Sequence, residues 1–443
     1  MGCYDASTSF LGLYFMKIAL QKNGRSIDVS LLFSLFLIIV LPQVLFVELK
    51  LKSLSLGLSI AAVTTILFFL KKIQSITRKE GIYTAGFIFY VLLFTLATSM
   101  FKSNPKALLS IPAFILVVST ALLLSHSLRK ADAENIKATF AIIFFTFSLL
   151  GWLEIVVGVH ILNYSNLEKP IFPFSEESHF ALAYGPIACA HGVSRSTKQK
   201  ALVVLNLLCM SILLPNLTLF LFCIVSSLIF FRLRFLVVLI LMMSAPALLI
   251  LSSLNQDLIY STSDYFTSRV SMDQDSKNLS ALVYIQGWNE IYKGLTQDYG
   301  IGAGFQMLGT GEASLISERI YHIAGKYLNS EDGGFLAAKI IGEFGFVGLL
   351  ACIYYIVAVC RSAKIISSQT KSADVSLGLK KKIFASIVVS YVVEFYFRGY
   401  GYFSPGLILA LAALIALNPK ESVKKGRLKT IARHTDFYRS GTT

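Results

Sequence analysis

Residues Glu331–Cys360 read EDGGFLAAKIIGEFGFVGLLACIYYIVAVC. From Phe335 onward this is an apolar run long enough to cross a hydrocarbon core of about 30 Å at about 1.5 Å per residue. Two charges interrupt it, Lys339 and Glu343. Four residues apart, they share one face of a helix. Charges are costly in a bilayer and face a protein interior or a water-filled cavity. Gly342, Gly345 and Gly348 recur every three residues, a spacing that lets helices approach closely. The stretch therefore predicts a membrane helix entered at Asp332-Gly333-Gly334. Its charged face is expected to look into an outward cavity, with Glu343 roughly 12 Å deep if the helix runs straight from Phe335.

The rest of the chain agrees with that reading. Of 443 residues, 55% are hydrophobic and 15% charged, where a soluble domain carries about 25% charged residues. The apolar runs are continuous, not alternating, so the spans are helices and not barrel strands. About twelve are expected, near 30–48, 54–70, 82–100, 107–126, 138–160, 177–193, 200–214, 216–231, 235–253, 335–360, 382–397 and 401–418. Gly185-Pro186 interrupts the sixth and the turn at Pro215-Asn216 is tight, so eleven is the alternative count. The predicted organisation is nine membrane helices over 1–253, a large polar loop over 254–334, three helices over 335–418 and a basic tail over 419–443. A loop that long is functional or disordered. This one carries an apolar helical stripe at Ile285, Trp288, Ile291, Tyr292 and Leu295, which favours an ordered loop.

The formal net charge is +15. Most of the Lys and Arg fall on alternate connections, including Lys71, Lys72, Arg129, Lys130, Arg195, Lys380 to Lys382 and the tail. The opposite short loops carry few. That asymmetry is an orientation signal, which places both termini in the cytoplasm and argues against nucleic acid as a partner. The opening MGCYDASTSF lacks the charged start and cleavage site of a signal peptide, so none is expected. The six cysteines imply no external disulfide framework, and no metal-ligand spacing such as CxxC or HExxH occurs. Neither metal nor cofactor is predicted.

On this topology, apart from His191 near the inner end of the sixth span, the ionisable residues within spans favour the outer half: Glu154, His160, Glu176, Glu177, His179, Lys339, Glu343, Glu394 and Arg398. A cavity opening outward collects charge in this way. Lys339–Glu343 and Glu394–Arg398 also have the spacing of simple structural pairs. The pair Asp273 and Asp275 resembles a nucleotide-sugar metal motif but lies on the wrong side for nucleotide sugars. GIGAGFQMLG (300–309) has no preceding strand and reads as a tight backbone turn, not a dinucleotide loop. Arg269 and Arg319 on the loop are the cations suited to a diphosphate, because a guanidinium binds two oxygens at once and keeps its charge.

PFSEESHFAL (173–182), Trp288 through GIGAGFQMLG, and the E-x-G-x-x-G at Glu343, Gly345 and Gly348 together resemble bacterial O-antigen polymerases of the Wzy family, within the wider superfamily that includes O-antigen ligases. The resemblance implies a GT-C-like fold and a metal-independent inverting glycosyltransferase at the periplasmic face of the inner membrane. Its substrate would be an oligosaccharide on undecaprenyl diphosphate, with a chain-length regulator and a flippase as further partners. Diphosphate or substrate contacts are then expected from Arg269, Arg319 and Arg398, with Lys169, His179 and Glu343 beside them. The base or acceptor contact is expected from Glu176, then His322 or Asp332. The chain departs from the pattern in three places. An arginine commonly precedes the first motif, and here the nearest cation is Lys169. Glu176-Glu177-Ser178 stands where relatives often show E-P-S. Asp332-Gly333-Gly334 stands where ligases place a histidine. The ligase and a flippase or other secondary transporter are the alternative readings. No internal repeat of the kind common in transporters is visible.

Overall fold

The computed structural model describes residues 28–70, 76–102, 105–158, 161–167, 169–231, 278–296, 299–310, 313–368 and 375–417. The expected ninth span, Arg269, His160, the Asp273/Asp275 pair and the basic tail lie outside the described residues. Among those described the chain is helical, with no strand beyond one bridge between Ile171 and Phe174. The helices are α1 (Val29–Glu48), α2 (Leu54–Phe68), α3 (Arg78–Lys102), α4 (Lys106–Lys130), α5 (Ala133–Val157), α6 (Glu177–Val193), α7 (Thr197–Leu213) and α8 (Leu217–Phe230). They continue as α9 (Leu279–Thr296), α10 (Leu315–Ala324), α11 (Leu336–Ser367), α12 (Val375–Ser390), α13 (Val392–Tyr396) and α14 (Pro405–Leu417). Five of these stretches are long and apolar enough to cross a membrane: α1, Arg78–Thr98 of α3, α4, α5 and α11. Helices α2, α8 and α14 are shorter but equally apolar in character. The protein is an all-α membrane protein.

Local chemistry sets the boundaries. Asp28 starts α1 by accepting from Leu31 N, and Asn216 starts α8 by accepting from Leu219 N, each satisfying a free first-turn amide. Ser196 and Gln199 close a capping box at the start of α7. Gly158 and Gly325 end α5 and α10 in the left-handed conformation. Helix α6 lies deepest, buried on nearly every side, and packs against α5, α8 and α12. Its small residues Ala181, Ala188 and Ala190 are fully buried, as helix association in lipid favours.

The decisive stretch does not form one straight helix. Gly345 adopts φ 55 and ψ −128, breaking α11 into Leu336–Phe344 and Phe346–Ser367. The break frees backbone groups that an unbroken helix would pair internally, and the 300–309 loop takes them up. Ala303 N donates to Gly342 O (2.8 Å), Gly304 N to Glu343 O (2.9 Å), and Phe346 N to Gly300 O (2.8 Å). A Cβ on Gly345 would lie 1.9 Å from Gly300 O, so the residue has to be glycine on both steric and dihedral grounds. The E-x-G-x-x-G and GIGAGFQMLG stretches are thus two sides of one interlock. The break lies beyond Glu343, so the chain still rises helically by about 12 Å from Phe335 to that residue, and only its course after Phe344 changes.

Helix α9 is the expected amphipathic helix, but its buried face differs from the predicted stripe. Leu282, Val283, Gln286, Gly287, Ile291 and Gly294 are buried, while Trp288 and Tyr292 are exposed. Gly287 meets Phe335 and the Gly333 carbonyl, and Gly294 meets the Gly342 backbone. The two glycines let α9 lie close along the first segment of α11, which moves the large aromatics to the edge. Leu282, Val283, Ile316 and Ile320 join α9 to α10, and Gln286 Nε2 donates to Ser317 Oγ (2.8 Å).

Candidate functional site

A cavity of ≈ 790 Å³ opens where the first turns of α2, α4, α6, α8 and α9 meet the 328–334 turn and the 397–403 connection. Basic groups gather at the other end of the bundle. There Lys380 Nζ donates to Arg129 O and Ala131 O, and Arg129 pairs with Glu80 (2.5 Å). The cavity lining mixes apolar side chains such as Leu182, Leu221 and Tyr284 with two charged clusters.

The first cluster is built by the start of α6. Glu176 precedes the helix in an extended conformation, which throws its carboxylate across the first turn. Its Oε1 accepts from Ser178 Oγ (2.5 Å), His179 Nε2 (2.8 Å) and Arg398 (3.4 Å). Ser175 Oγ sits 2.8 Å from His179 Nδ1 and 3.3 Å from Gln43 Oε1, and Gln43 Nε2 donates to the Tyr400 hydroxyl (3.3 Å). The Tyr400 ring packs on His179 at 4.4 Å between centroids. Burial by itself would raise the Glu176 carboxyl. The hydrogen bond and charge of His179, the charge of Arg398 and the Ser178 hydroxyl outweigh it and hold the group well below the usual carboxylate range. Glu176 is therefore a permanent anion at neutral pH and a weak base. Burial raises the Tyr400 hydroxyl well above its usual value, so it serves as a neutral hydrogen-bonding partner.

The second cluster is built by the turn before α11. Asn329, Gly333 and Gly334 all have positive φ, and Gly333 N donates to Asn329 O (2.8 Å). The turn presents Glu331 and Asp332 at the cavity. Lys106, from the first turn of α4, pairs with Glu331. Lys339 Nζ bonds Asp332 Oδ1 (2.8 Å) and Glu331 O (2.7 Å). Among the described residues Asp332 Oδ2 accepts no hydrogen bond. Its side chain is 47% exposed, so it is available to a ligand.

Of the residues singled out from sequence, the cavity brings together Glu176, His179, Arg398 and Asp332. Lys169 is exposed and not on the lining. Arg319 and His322 are carried by α10, and neither lines the cavity. Arg269 lies outside the described residues. Glu343 is fully buried behind the second cluster, with Oε1 accepting from Leu308 N (3.4 Å) and lying 3.9 Å from Lys339 Nζ. The expectation that Lys339 and Glu343 look into the cavity is corrected. The Gly345 break tucks their segment under the 300–309 loop, and both are at most 1% exposed. The Glu394–Arg398 spacing likewise yields no ion pair between the two. Arg398 reaches Glu176, while Glu394 is buried against Gly406. Sequence reasoning missed Lys106, Glu331, Gln43 and Tyr400. Lys106 was legible only as a loop cation, and Gln43 carries no signal beyond being polar inside an apolar run.

Comparison with known proteins gives no further guide. No family model matches this chain, and no curated protein matches it.

Proposed function

We propose that the protein is an O-antigen or related polysaccharide polymerase of the Wzy type. On this reading it has about twelve spans in a GT-C-like arrangement in the bacterial inner membrane. Both termini are cytoplasmic and the cavity faces the periplasm. The growing glycan is transferred from undecaprenyl diphosphate to the non-reducing end of the next lipid-linked repeat unit. The observation that carries the reading is the cavity that joins the acidic-histidine start of α6, the Arg398 connection and the acidic turn before α11, at the end of the bundle away from the Arg129–Lys380 cluster.

The chemistry assigns roles within that cavity. The acceptor hydroxyl must lose a proton as it attacks the anomeric carbon, and the carbon–oxygen bond to the diphosphate must break on the opposite face. Asp332 is the base of choice, because it lines the cavity with one carboxylate oxygen anchored and the other accepting no hydrogen bond among the described residues. Glu176 is too strongly stabilised as an anion to serve well, and His322 stands off the cavity. Arg398 faces the developing diphosphate charge, with Glu176, itself held by His179, fixing its guanidinium. A guanidinium at the leaving oxygen supplies the charge stabilisation that this bond cleavage requires.

A deletion strain tests this reading through its lipopolysaccharide pattern on a gel. Loss of a polymerase leaves core bearing a single repeat unit. Core without any O-antigen rejects the reading in favour of a ligase or flippase. Lipid-linked polymer then accumulates only in the ligase case.

A further inference from the structure

The second cluster contains two lysines that approach the same acidic turn from opposite sides. Lys106 comes from the rim, at the first turn of α4, and takes Glu331. Lys339 comes from the interior, on the first segment of α11, and is 1% exposed. Its ammonium has three N–H groups and three acceptors: Glu331 O (2.7 Å), Asp332 Oδ1 (2.8 Å) and Gln306 Oε1 (3.3 Å). No donor is left for a ligand. Glu343, at 3.9 Å, supplies countercharge and ties the same site to the 306–308 backbone through Leu308 N. Tyr402 closes the site, with its ring centroid 5.4 Å from Lys339 Nζ.

We propose that Lys339 is a positioning residue which, together with Lys106, clamps the Asn329–Gly334 turn and sets the Asp332 carboxylate against the cavity. A buried ion pair is a poor device for stability alone, since apolar side chains of similar volume do as well or better. An apolar pair cannot hold the Glu331 carbonyl and Asp332 Oδ1 at once. The turn needs that hold. Three of its residues have positive φ, and its described backbone bonds, Gly333 N and Asp332 N to Asn329 O and Gly399 N to Gly334 O, leave the Glu331 carbonyl to Lys339. The interlock at Gly345 holds the 300–309 loop whose Gln306 completes the Lys339 donor set, which ties the glycine motif to the placement of Asp332. The clamp rests on the glycosyl-transfer reading only for its kinetic consequence.

Two variants test it: K339M/E343L, which removes the buried charges as a pair, and K106M at the rim. Hydrogen exchange across 329–334 reads the clamp whatever the wild type catalyses. At least a tenfold loss of protection is expected there in both, on the order expected for a local opening, with protection of α12 unchanged. Polymer synthesis should fall about 100-fold in kcat for the double variant with little change in KM, the size of a misplaced reacting group. Native exchange at 329–334 in a folded variant overturns the proposal, as does a double variant with wild-type kcat. If the double variant does not fold, the exchange of K106M decides alone. A wild type that makes no polymer removes the functional reading and leaves the exchange result to judge the clamp.

Discussion

At the scale of single residues, the charges divide between ligand-facing and buried roles in a way their spacing conceals. Two i,i+4 pairs stand in the sequence, yet Arg398 leaves Glu394 for Glu176, and Lys339 spends its hydrogen bonds on the turn before its own helix. R398A should express normally and lose long chains. The expected barrier increase of about 2–4 kcal/mol corresponds to a rate fall of roughly 30- to 1000-fold, measured as polymer length and initial rate. D332N should abolish synthesis while substrate binding persists. Glu343 is the second countercharge of Lys339, which also pairs with Asp332. E343L alone leaves Lys339 to Asp332 and deprives Leu308 N of its carboxylate acceptor, which should lower stability by about 1–3 kcal/mol, part of which the K339M/E343L pair recovers. Melting curves in detergent check both. Glu176 makes a prediction in pH. Its folded carboxyl titrates below its unfolded value, so its contribution is present above the ordinary carboxylate range and is lost as pH falls through it. The wild type should therefore melt higher than E176Q at neutral pH, and the gap should close on acidification. A gap that widens with acid would contradict the pairing.

At the scale of elements, the interlock between the 300–309 loop and the broken α11 organises the site. G345A places a Cβ into Gly300 O and forces a non-glycine residue into a left-handed conformation. The expected loss is at least about 1–3 kcal/mol from the backbone strain alone, before the steric clash is counted. It should appear as lower yield of folded protein and a lower melting temperature. Much of this region was legible in sequence. The glycine spacing marked close packing, the two charges marked a face turned away from lipid, and SEESH marked the start of α6. What was not legible was the break. A glycine inside an apolar helical run reads as a packing residue, and only the loop some forty residues upstream reveals that its neighbours' backbone groups are shared. The same long-range contact moved Lys339 and Glu343 from the cavity wall to the interior. Helix α9 misled for a related reason: its glycines, and not its aromatics, form the packed face, because a neighbouring helix backbone occupies the space.

At the scale of the whole molecule, a cavity with two charged clusters lies at one end of a helical bundle and a basic cluster lies at the other. On the proposed topology the basic end lies in the cytoplasm and the cavity faces lipid-linked substrates on the opposite side. A transporter would instead need polar groups through the depth of the bundle. The most direct measurement uses purified protein in lipid bilayers, supplied with lipid-linked repeat units extracted from the deletion strain. The account predicts a ladder of lengthened glycans from wild-type protein without added nucleotide sugar, a much slower and shorter one from R398A, and none from D332N. No ladder from the wild type, or an undiminished ladder from D332N, would contradict it.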